Sequence, residues 1–426
     1  MIDRLRTDSG RLARLGFVDI ARAERVVTGD RLAALLRESI RDDEEDVLTD
    51  LSTSADPDQA LLMLDRLASA CDDQQWRRLA SALVADEMFC RRFVDVLGMS
   101  EALGDFLARH VNAWEVLADD AGLAQAPSAR AMRDAVIAAV GADPRLLTPV
   151  ASGSGIAELD ALRIAYRTQL LGIAARDLTA MAPLEAVAAW LSDLADAVLE
   201  GALAIARAAA GPNHDACRFA VIGMGKCGAR ELNYVSDVDV IFVTDAIDDA
   251  QMSVATDLAT GLMRACTTAT AEGSIWEVDA ALRPEGKQGA LVRTIASHVG
   301  YYERWASTWE FQALLKARPV AGDRELGEEY VDAVTPFVWQ AASQPNFVTD
   351  AQAMRRKVEQ NVPARVAERE LKLGPGGLRD VEFSVQLLQL VHGRTDVMLR
   401  SPTTLTALES LAIWGYVGRS DAATMA

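Results

Sequence analysis

The stretch that most constrains the fold of this chain is RFAVIGMGKCGARELNYVSDVDVIFVTD, residues 218–245. It holds an apolar run, the glycine pattern G-x-G-x-x-G and a second apolar run that opens with Asp237 and Asp239. A dinucleotide-binding fold has the same glycines, but it needs a crossover helix between two parallel strands. Seven residues, Ala229 to Val235, are free for that helix. The spacing therefore favours a different fold, and a nicotinamide-binding oxidoreductase stays open as an alternative.

The acidic pair predicts a metal site. Side chains alternate along a strand, so Asp237 and Asp239 point to the same face, and two such carboxylates repel each other unless a cation lies between them. A third apolar run, SIWEVDAAL, carries Asp279, which completes a cluster if that strand neighbours the second. Oxygen ligands of this kind suit Mg²⁺ or Mn²⁺. We therefore expect all three aspartates to be metal ligands and catalytic residues; an exposed acidic strand edge is the alternative.

Glycines and cations around this cluster fit phosphate binding. Backbone amides of the glycine turn can approach a phosphate closely, because glycine has no Cβ atom. A lysine follows the turn directly, and further cations follow the third acid. For two of these cations, Arg283 and Arg318, a structural ion pair is the alternative. The candidate phosphate- or nucleotide-binding residues are Gly223, Gly225, Lys226, Ser236, Arg283, Lys316 and Arg318.

Lysine is rare in this chain and is confined to one part of it. Five of the 43 basic residues are lysines, and all five lie between residues 226 and 372. Lysine places a compact charge on a flexible stem, so this clustering supports a functional site in the same region. Farther along, Arg379, Asp380 and Glu382 follow the glycine-rich segment LKLGPGG. They could line the site or fix the loop, and the sequence leaves both interpretations open.

The regions on either side of this site have helical patterning. Apolar residues recur at three- and four-residue spacing over residues 1–211, and again over residues 335–426. Between them, residues 212–334 combine the three strand candidates with a helix candidate at 251–272. We therefore predict an α+β, mostly helical fold, in which a strand-containing domain at 212–334 is flanked by helical regions.

Composition excludes several classes of protein. The formal net charge of −19 argues against nucleic acid as a partner, because phosphate backbones require a basic surface. No apolar run reaches about 18 residues, the length that predicts a membrane span. Five scattered cysteines form no C-x-x-C pair, and no signal-peptide pattern opens the chain. We expect a cytoplasmic protein with reduced cysteines, without a membrane span and without a nucleic-acid partner.

In their order, the glycine turn, the D-x-D strand and the later acid resemble the nucleotidyltransferase superfamily of DNA polymerase beta. One family is more similar still, the bifunctional glutamine synthetase adenylyltransferase/adenylyl-removing enzymes, and LLGIAARDL at 170–178 also resembles it. Ala280-Ala281 departs from that family, which more often has a polar or larger residue there. The blocks that carry the resemblance are GMGKCGARELNYVSDVDVIFV, EVDAALRPEGKQGALVRT, YYERWASTWEFQALLKARPVAGD and LKLGPGGLRDVEFSVQLLQL.

The resemblance implies a polymerase-beta-like mixed-sheet domain that binds Mg²⁺ or Mn²⁺. Members of the family carry two such domains, and the one here resembles the N-terminal, adenylyl-removing half, so we expect the chain to continue after residue 426 into an absent transferase half. The implied reaction is phosphorolysis of adenylyl-tyrosine on glutamine synthetase. Adenylylated glutamine synthetase, inorganic phosphate and ADP are then partners, with a PII-type signalling protein as a regulator. Adenylyl transfer from ATP and a non-catalytic docking module are the alternatives.

Overall fold

The structure is a computed structural model that describes residues 9–40, 46–343, 345–360, 362 and 369–426. The chain divides into two compact units, the first formed by Met1–Ser128 with Ala165–Val187 and the second by Ala129–Ile164 with Ala188–Ala426. The predicted domain boundaries, after residues 211 and 334, both fall inside the second unit and stay predictions.

Helices make up most of the described residues, which confirms the predicted α+β, mostly helical class. Short 3-10 helices lie at Val111–Trp114, Gly211–Asn213, Gly286–Gln288, Ala341–Ser343 and Val397–Leu399. The α-helices are α1 (Ser9–Arg14), α2 (Ile20–Val27), α3 (Asp30–Glu38), α4 (Val47–Ser52), α5 (Pro57–Ala70), α6 (Asp73–Ala85), α7 (Glu87–Met99), α8 (Glu101–Arg109), α9 (Glu115–Ala118), α10 (Asp120–Leu123), α11 (Ala129–Ala139), α12 (Ile156–Leu178), α13 (Leu184–Ala210), α14 (Gly225–Gly228), α15 (Asp249–Thr267), α16 (Ile295–Arg304), α17 (Thr308–Leu314), α18 (Arg324–Gln340), α19 (Phe347–Gln360), α20 (Leu378–His392), α21 (Thr404–Ile413) and α22 (Arg419–Met425).

The described residues of the first unit are helices joined by short turns. Several of these helices begin at an aspartate: the Asp72 carboxylate, for example, accepts hydrogen bonds from the backbone amides of Gln74 and Gln75. Such caps satisfy amides that the first helical turn leaves unpaired. The core of this unit includes Phe89, whose ring lies 5.6 Å from the rings of both Phe93 and Trp114.

The second unit contains a five-stranded mixed sheet. Strand β1 lies between β2 and β5 and is antiparallel to both, whereas β2 is parallel to β3 and to β4. The first three strands lie where the sequence predicts them. The other two strands were not predicted. One has three residues, and the other contains a proline, a residue that argues against a strand in sequence-based prediction. The strands are β1 (Phe219–Gly223), β2 (Val238–Thr244), β3 (Val278–Asp279), β4 (Val292–Thr294) and β5 (Arg318–Gly322).

The connection between β1 and β2 rules out the nicotinamide-binding alternative. A dinucleotide-binding unit joins two parallel strands through a long helix. Here β1 and β2 are antiparallel neighbours, and the four-residue helix α14 follows the glycine turn. The G-x-G-x-x-G pattern therefore belongs to a tight connection within an antiparallel pair.

Strand β2 is an internal strand, which argues against an exposed acidic edge. Every residue of β2 is buried except the half-buried Asp239. On one face of the sheet, Ile222 and Ile241 join a hydrophobic cluster that includes Phe311 and Tyr330. The long helix α15 then connects β2 to β3. This topology brings the acid of β3 next to the acids of β2.

The C-terminal helices of the second unit have their own small core. It is formed by α20, α21 and α22 and includes Val385, Leu408, Leu411 and Ala422. Among the residues that the structure describes, no helix combines the length and the apolar character that a membrane span requires.

Candidate metal centre

Three aspartates from two neighbouring strands meet at one end of the sheet. Asp239 in β2 lies opposite Asp279 in the parallel strand β3, and Asp237 immediately precedes β2. Each offers one carboxylate oxygen, and these oxygens all lie within 4.8 Å of one another. The β2–β3 pairing that the sequence argument required is therefore present.

The glycine turn packs directly against this cluster. The backbone amide of Met224 donates a 2.8 Å hydrogen bond to the carbonyl of Asp239. Gly225 adopts a φ of +52°, which L-residues rarely adopt, and a Cβ atom at this position would overlap the Asp239 carboxylate. Glycine is therefore required here for two reasons: the backbone conformation and the close approach of the carboxylate.

The electrostatics of the three aspartates fit a divalent cation. Burial raises the pKa of Asp239 to about 6, and the negative charges of Asp237 and Asp279 contribute to the increase. Repulsion of this kind is relieved when a cation lies between the carboxylates. Three carboxylate oxygens at this spacing form the hard donor set that Mg²⁺ or Mn²⁺ prefers.

Two of the predicted phosphate-binding residues flank the aspartates. Lys226, in α14, is half-buried, and its Nζ donates a 3.2 Å hydrogen bond to Oδ1 of Asn233. Ser236 directly precedes Asp237, and its hydroxyl donates to the Asp237 carbonyl at 2.9 Å. Gly223 ends β1 immediately before the turn. The contacts of Lys226 and Ser236 are with protein atoms, so phosphate binding by these residues and by Gly223 stays a prediction.

Arg283 fixes the loop that follows the third aspartate. Its guanidinium donates hydrogen bonds to the carbonyls of Ala280 at 2.7 Å, Gly289 at 3.2 Å and Lys287 at 3.3 Å. Burial lowers its pKa, while the charge of Asp279 raises it. Arg283 therefore organises its own loop beside the aspartates. These partners are carbonyls and not the carboxylate of an ion pair, and phosphate binding by Arg283 stays a prediction.

Lys316 lies in a buried ion-pair network. Its side chain is 4% exposed, and Nζ lies 2.6 Å from Glu382 and 3.1 Å from Glu231. Glu231 also accepts a hydrogen bond from the backbone amide of Thr404 at 2.5 Å. The lysine thus links the segment after the glycine turn to the helices α20 and α21. Phosphate binding by Lys316 stays a prediction, but its present partners are carboxylates.

Arg318 ties the glycine turn to helix α13. Its guanidinium contacts the Asp196 carboxylate through two nitrogens, at 2.5 and 3.0 Å. It also donates to the carbonyls of Cys227 at 3.0 Å and Gly228 at 3.2 Å. These contacts match the ion-pair alternative from the sequence. A direct contact of Arg318 with phosphate stays a prediction.

The glycine-rich loop before α20 and the first turn of that helix each supply a cation, Lys372 and Arg379 respectively, near the aspartates. The positive charges of Arg379 and Lys372 partly oppose the increase in the pKa of Asp239 that burial and the other aspartates cause. Asp380 instead fixes the loop, because it accepts a 2.5 Å hydrogen bond from Arg355 and a 2.6 Å bond from the Gly376 amide. The contacts of Asp380 support the loop-fixing interpretation for this residue, and a role of Arg379 in lining the site stays a prediction. The scarcity of lysine was the one sequence signal that marked Lys372.

Comparison with known proteins decides the family. Residues 90–333 match the glutamate-ammonia ligase adenylyltransferase family. The chain belongs to this family. Residues 352–426 also match the GlnD PII-uridylyltransferase family. The first match contains the glycine turn and all three aspartates, so the acidic cluster lies within the region that defines the glutamate-ammonia ligase adenylyltransferases.

Similar members of the family carry two activities in their names. The chain is 52% identical over 422 residues to the bifunctional glutamine synthetase adenylyltransferase/adenylyl-removing enzyme of Streptomyces avermitilis, with 97% of this chain and 39% of the relative covered. The protein of the same name from Mycobacterium tuberculosis is 48% identical over 421 residues, with 97% and 40% covered. The chain therefore spans about 40% of the length of the relatives that it matches.

Proposed function

We propose that this chain removes AMP from adenylylated glutamine synthetase in the cytoplasm, by metal-dependent phosphorolysis. The observation that carries the proposal is the convergence of Asp237, Asp239 and Asp279 within a family of adenylyltransferases. The removing direction is assigned because the block GARELN and the long helical lead resemble the adenylyl-removing half of the bifunctional enzymes.

In this reaction, an oxygen of inorganic phosphate forms a bond to the phosphorus of the AMP group. The bond between that phosphorus and the tyrosine oxygen breaks, the phosphate proton passes to the tyrosine oxygen, and the products are ADP and unmodified glutamine synthetase. Two anions must come together, so the main task of the site is to offset negative charge. A strong general base is unnecessary, because the attacking phosphate is already anionic.

Two groups of residues would offset this negative charge, the three aspartates with their cation and the amides of the glycine turn. Asp237, Asp239 and Asp279 would hold Mg²⁺ or Mn²⁺, which when bound supplies positive charge to the phosphate oxygens and to the leaving tyrosine oxygen. The amides of the Gly223–Gly225 turn lie beside these carboxylates and are available to orient a phosphate. The tyrosine oxygen is a good leaving group, since the phenol pKa is about 10.

The proposed protein partners are glutamine synthetase and a PII-type signalling protein. Glutamine synthetase is named as the target of the relatives. The match of residues 352–426 to a family of PII-uridylyltransferases supports a link with PII-type regulation through the C-terminal helices.

The decisive assay incubates the chain with adenylylated glutamine synthetase, Mg²⁺ and phosphate, and measures ADP. We expect ADP in proportion to the AMP removed, and no ADP when phosphate is omitted. Release of AMP without phosphate would show hydrolysis instead. A preparation that binds glutamine synthetase but neither removes its AMP groups nor consumes phosphate would support a non-catalytic docking module.

Adenylyl transfer from ATP is the second candidate, because the relatives' names include both activities. The same carboxylates would serve that reaction. Incubation with ATP and unmodified glutamine synthetase distinguishes the two candidates: our proposal expects no incorporation of AMP, and incorporation would reverse the assigned direction.

A further inference from the structure

Three cations converge beside the aspartates from two separate parts of the chain. Lys226 follows the glycine turn, whereas Lys372 comes from the loop before α20 and Arg379 from the first turn of α20. Burial lowers the pKa of Lys226, and the charges of Lys372 and Arg379 lower it further, against the opposite effect of Glu382 and Asp237. The charges of Lys372 and Arg379 are therefore close enough to Lys226 to repel its ammonium group.

The segment that carries Lys372 and Arg379, the end of the loop and the start of α20, is fixed by hydrogen bonds. The backbone amide of Arg379 donates to the Lys372 carbonyl at 2.9 Å, and Leu378 donates to Leu371 at 2.9 Å. Arg355 donates to the carbonyls of Leu373 and Gly374 at 3.1 Å. These bonds hold Lys372 and Arg379 next to each other at the start of α20.

A second set of contacts connects the same segment to the residues that follow the glycine turn. Glu382, in α20, lies 3.1 Å from a guanidinium nitrogen of Arg379 and 2.6 Å from Nζ of Lys316. Lys316 in turn contacts Glu231, whose backbone amide donates to the carbonyl of Lys226 at 2.8 Å. The three cations thus belong to one framework of hydrogen bonds and ion pairs.

Like charges held at short distance favour the binding of an anion, since the anion offsets their repulsion. The proposed reaction brings two anions into this site. The phosphodiester of adenylyl-tyrosine carries one negative charge, and we expect it to contact the cation that the three aspartates would hold. Inorganic phosphate carries more negative charge near neutral pH, and it needs donors outside the carboxylate cluster.

We infer that Lys226, Lys372 and Arg379 form the subsite that binds the attacking inorganic phosphate and holds it against the AMP phosphorus. The inference rests on the proposed phosphorolysis and adds to it the residues that select phosphate rather than water as the acceptor. Lys372 comes from a segment that lies outside the region matched to the adenylyltransferase family, so the loop before α20 completes the site.

Lys372→Met tests the subsite with little risk to the fold, because this side chain is exposed. We expect the KM for phosphate to rise about ten- to a hundredfold, the effect of losing a hydrogen bond to a charged group, while the KM for adenylylated glutamine synthetase stays unchanged. The matched control is Lys357→Met, which removes an exposed lysine of α19 and should leave both constants unchanged. An unchanged KM for phosphate, or a rise confined to the KM for the adenylylated protein, would overturn the inference.

Direct binding of inorganic phosphate separates this inference from the proposed function. Titration of the whole chain with phosphate, followed by ³¹P NMR, should show weaker binding in Lys372→Met than in the wild type and in Lys357→Met. If the wild type forms no ADP, the proposed function fails, and the binding comparison still decides the subsite. Equal phosphate binding by all three proteins would refute it.

Discussion

Asp239 and Asp279 lie directly opposite each other in the parallel strand pair β2–β3. Asp237 completes the cluster from the residue before β2, with one oxygen of each carboxylate within 4.8 Å of the others. The paired strands place the backbones of Asp239 and Asp279 side by side, so their carboxylates lie close together before any cation binds. This arrangement fits the divalent cation that we propose for the site, and the first and last of the predictions below follow from it.

The glycine turn predicts a sharp effect of Gly225→Ala. A Cβ atom at this positive φ costs about 1–2 kcal/mol of backbone strain, and it would also overlap the Asp239 carboxylate. We expect weaker Mn²⁺ binding and at least a roughly tenfold loss of ADP formation, measured by electron paramagnetic resonance and by the phosphorolysis assay. The control is Gly300→Ala in α16, where a Cβ atom has open space. It should be neutral or add up to about 1 kcal/mol of stability; equal effects of both substitutions would contradict the account.

Lys316→Met should destabilise the protein strongly. The substitution leaves Glu231 and Glu382 beside each other without the buried cation that pairs with both. Removing one partner of a buried ion pair costs about 3–5 kcal/mol, and chemical denaturation measures this loss. Arg324→Met, which breaks the exposed pair with Glu328, should cost less than about 1 kcal/mol. A loss of similar size in both variants would show that Lys316 has no special structural role.

His298 predicts a pH-dependent contribution to stability. This buried histidine lies against Tyr302 and Tyr330, and burial lowers its pKa to about 3, with the Arg293 charge as a further cause. The unfolded chain binds the proton near pH 6.5, whereas the folded protein does not, so the wild type loses stability as the pH falls below that value. Relative to His298→Phe, we expect the wild type to lose about 2 kcal/mol between pH 7.5 and pH 5. A difference that stays constant over this range would refute the prediction.

The acidic cluster could be predicted from the sequence because its determinants are local. Alternation along a strand places Asp237 and Asp239 on one face, and the chain order of strand, helix and strand brings Asp279 alongside. The absence of a dinucleotide-binding fold could also be predicted, since the spacing after Gly228 was too short for a crossover helix. These inferences required no knowledge of long-range contacts.

The roles of the surrounding cations could not be predicted from local sequence patterns. Arg318 contacts Asp196, which lies 122 residues earlier in the chain, and Lys316 contacts Glu231 and Glu382, 85 and 66 residues away. No local pattern encodes such partners, so a cation near an acidic motif looks the same whether it binds phosphate or a carboxylate. The position of Lys372 beside the aspartates likewise depends on how the second unit folds.

The measurement that tests the central claim most directly is ADP formation from adenylylated glutamine synthetase, with Mn²⁺ binding measured on the same preparations. It compares the wild type with Asp239→Asn and with Asp257→Asn, a matched substitution at an exposed aspartate of α15. The account predicts that the wild type and Asp257→Asn bind Mn²⁺ and form ADP in the presence of phosphate. Asp239→Asn should lose both properties without loss of thermal stability, because the substitution also removes the repulsion among the carboxylates. Normal ADP formation by Asp239→Asn would contradict the account.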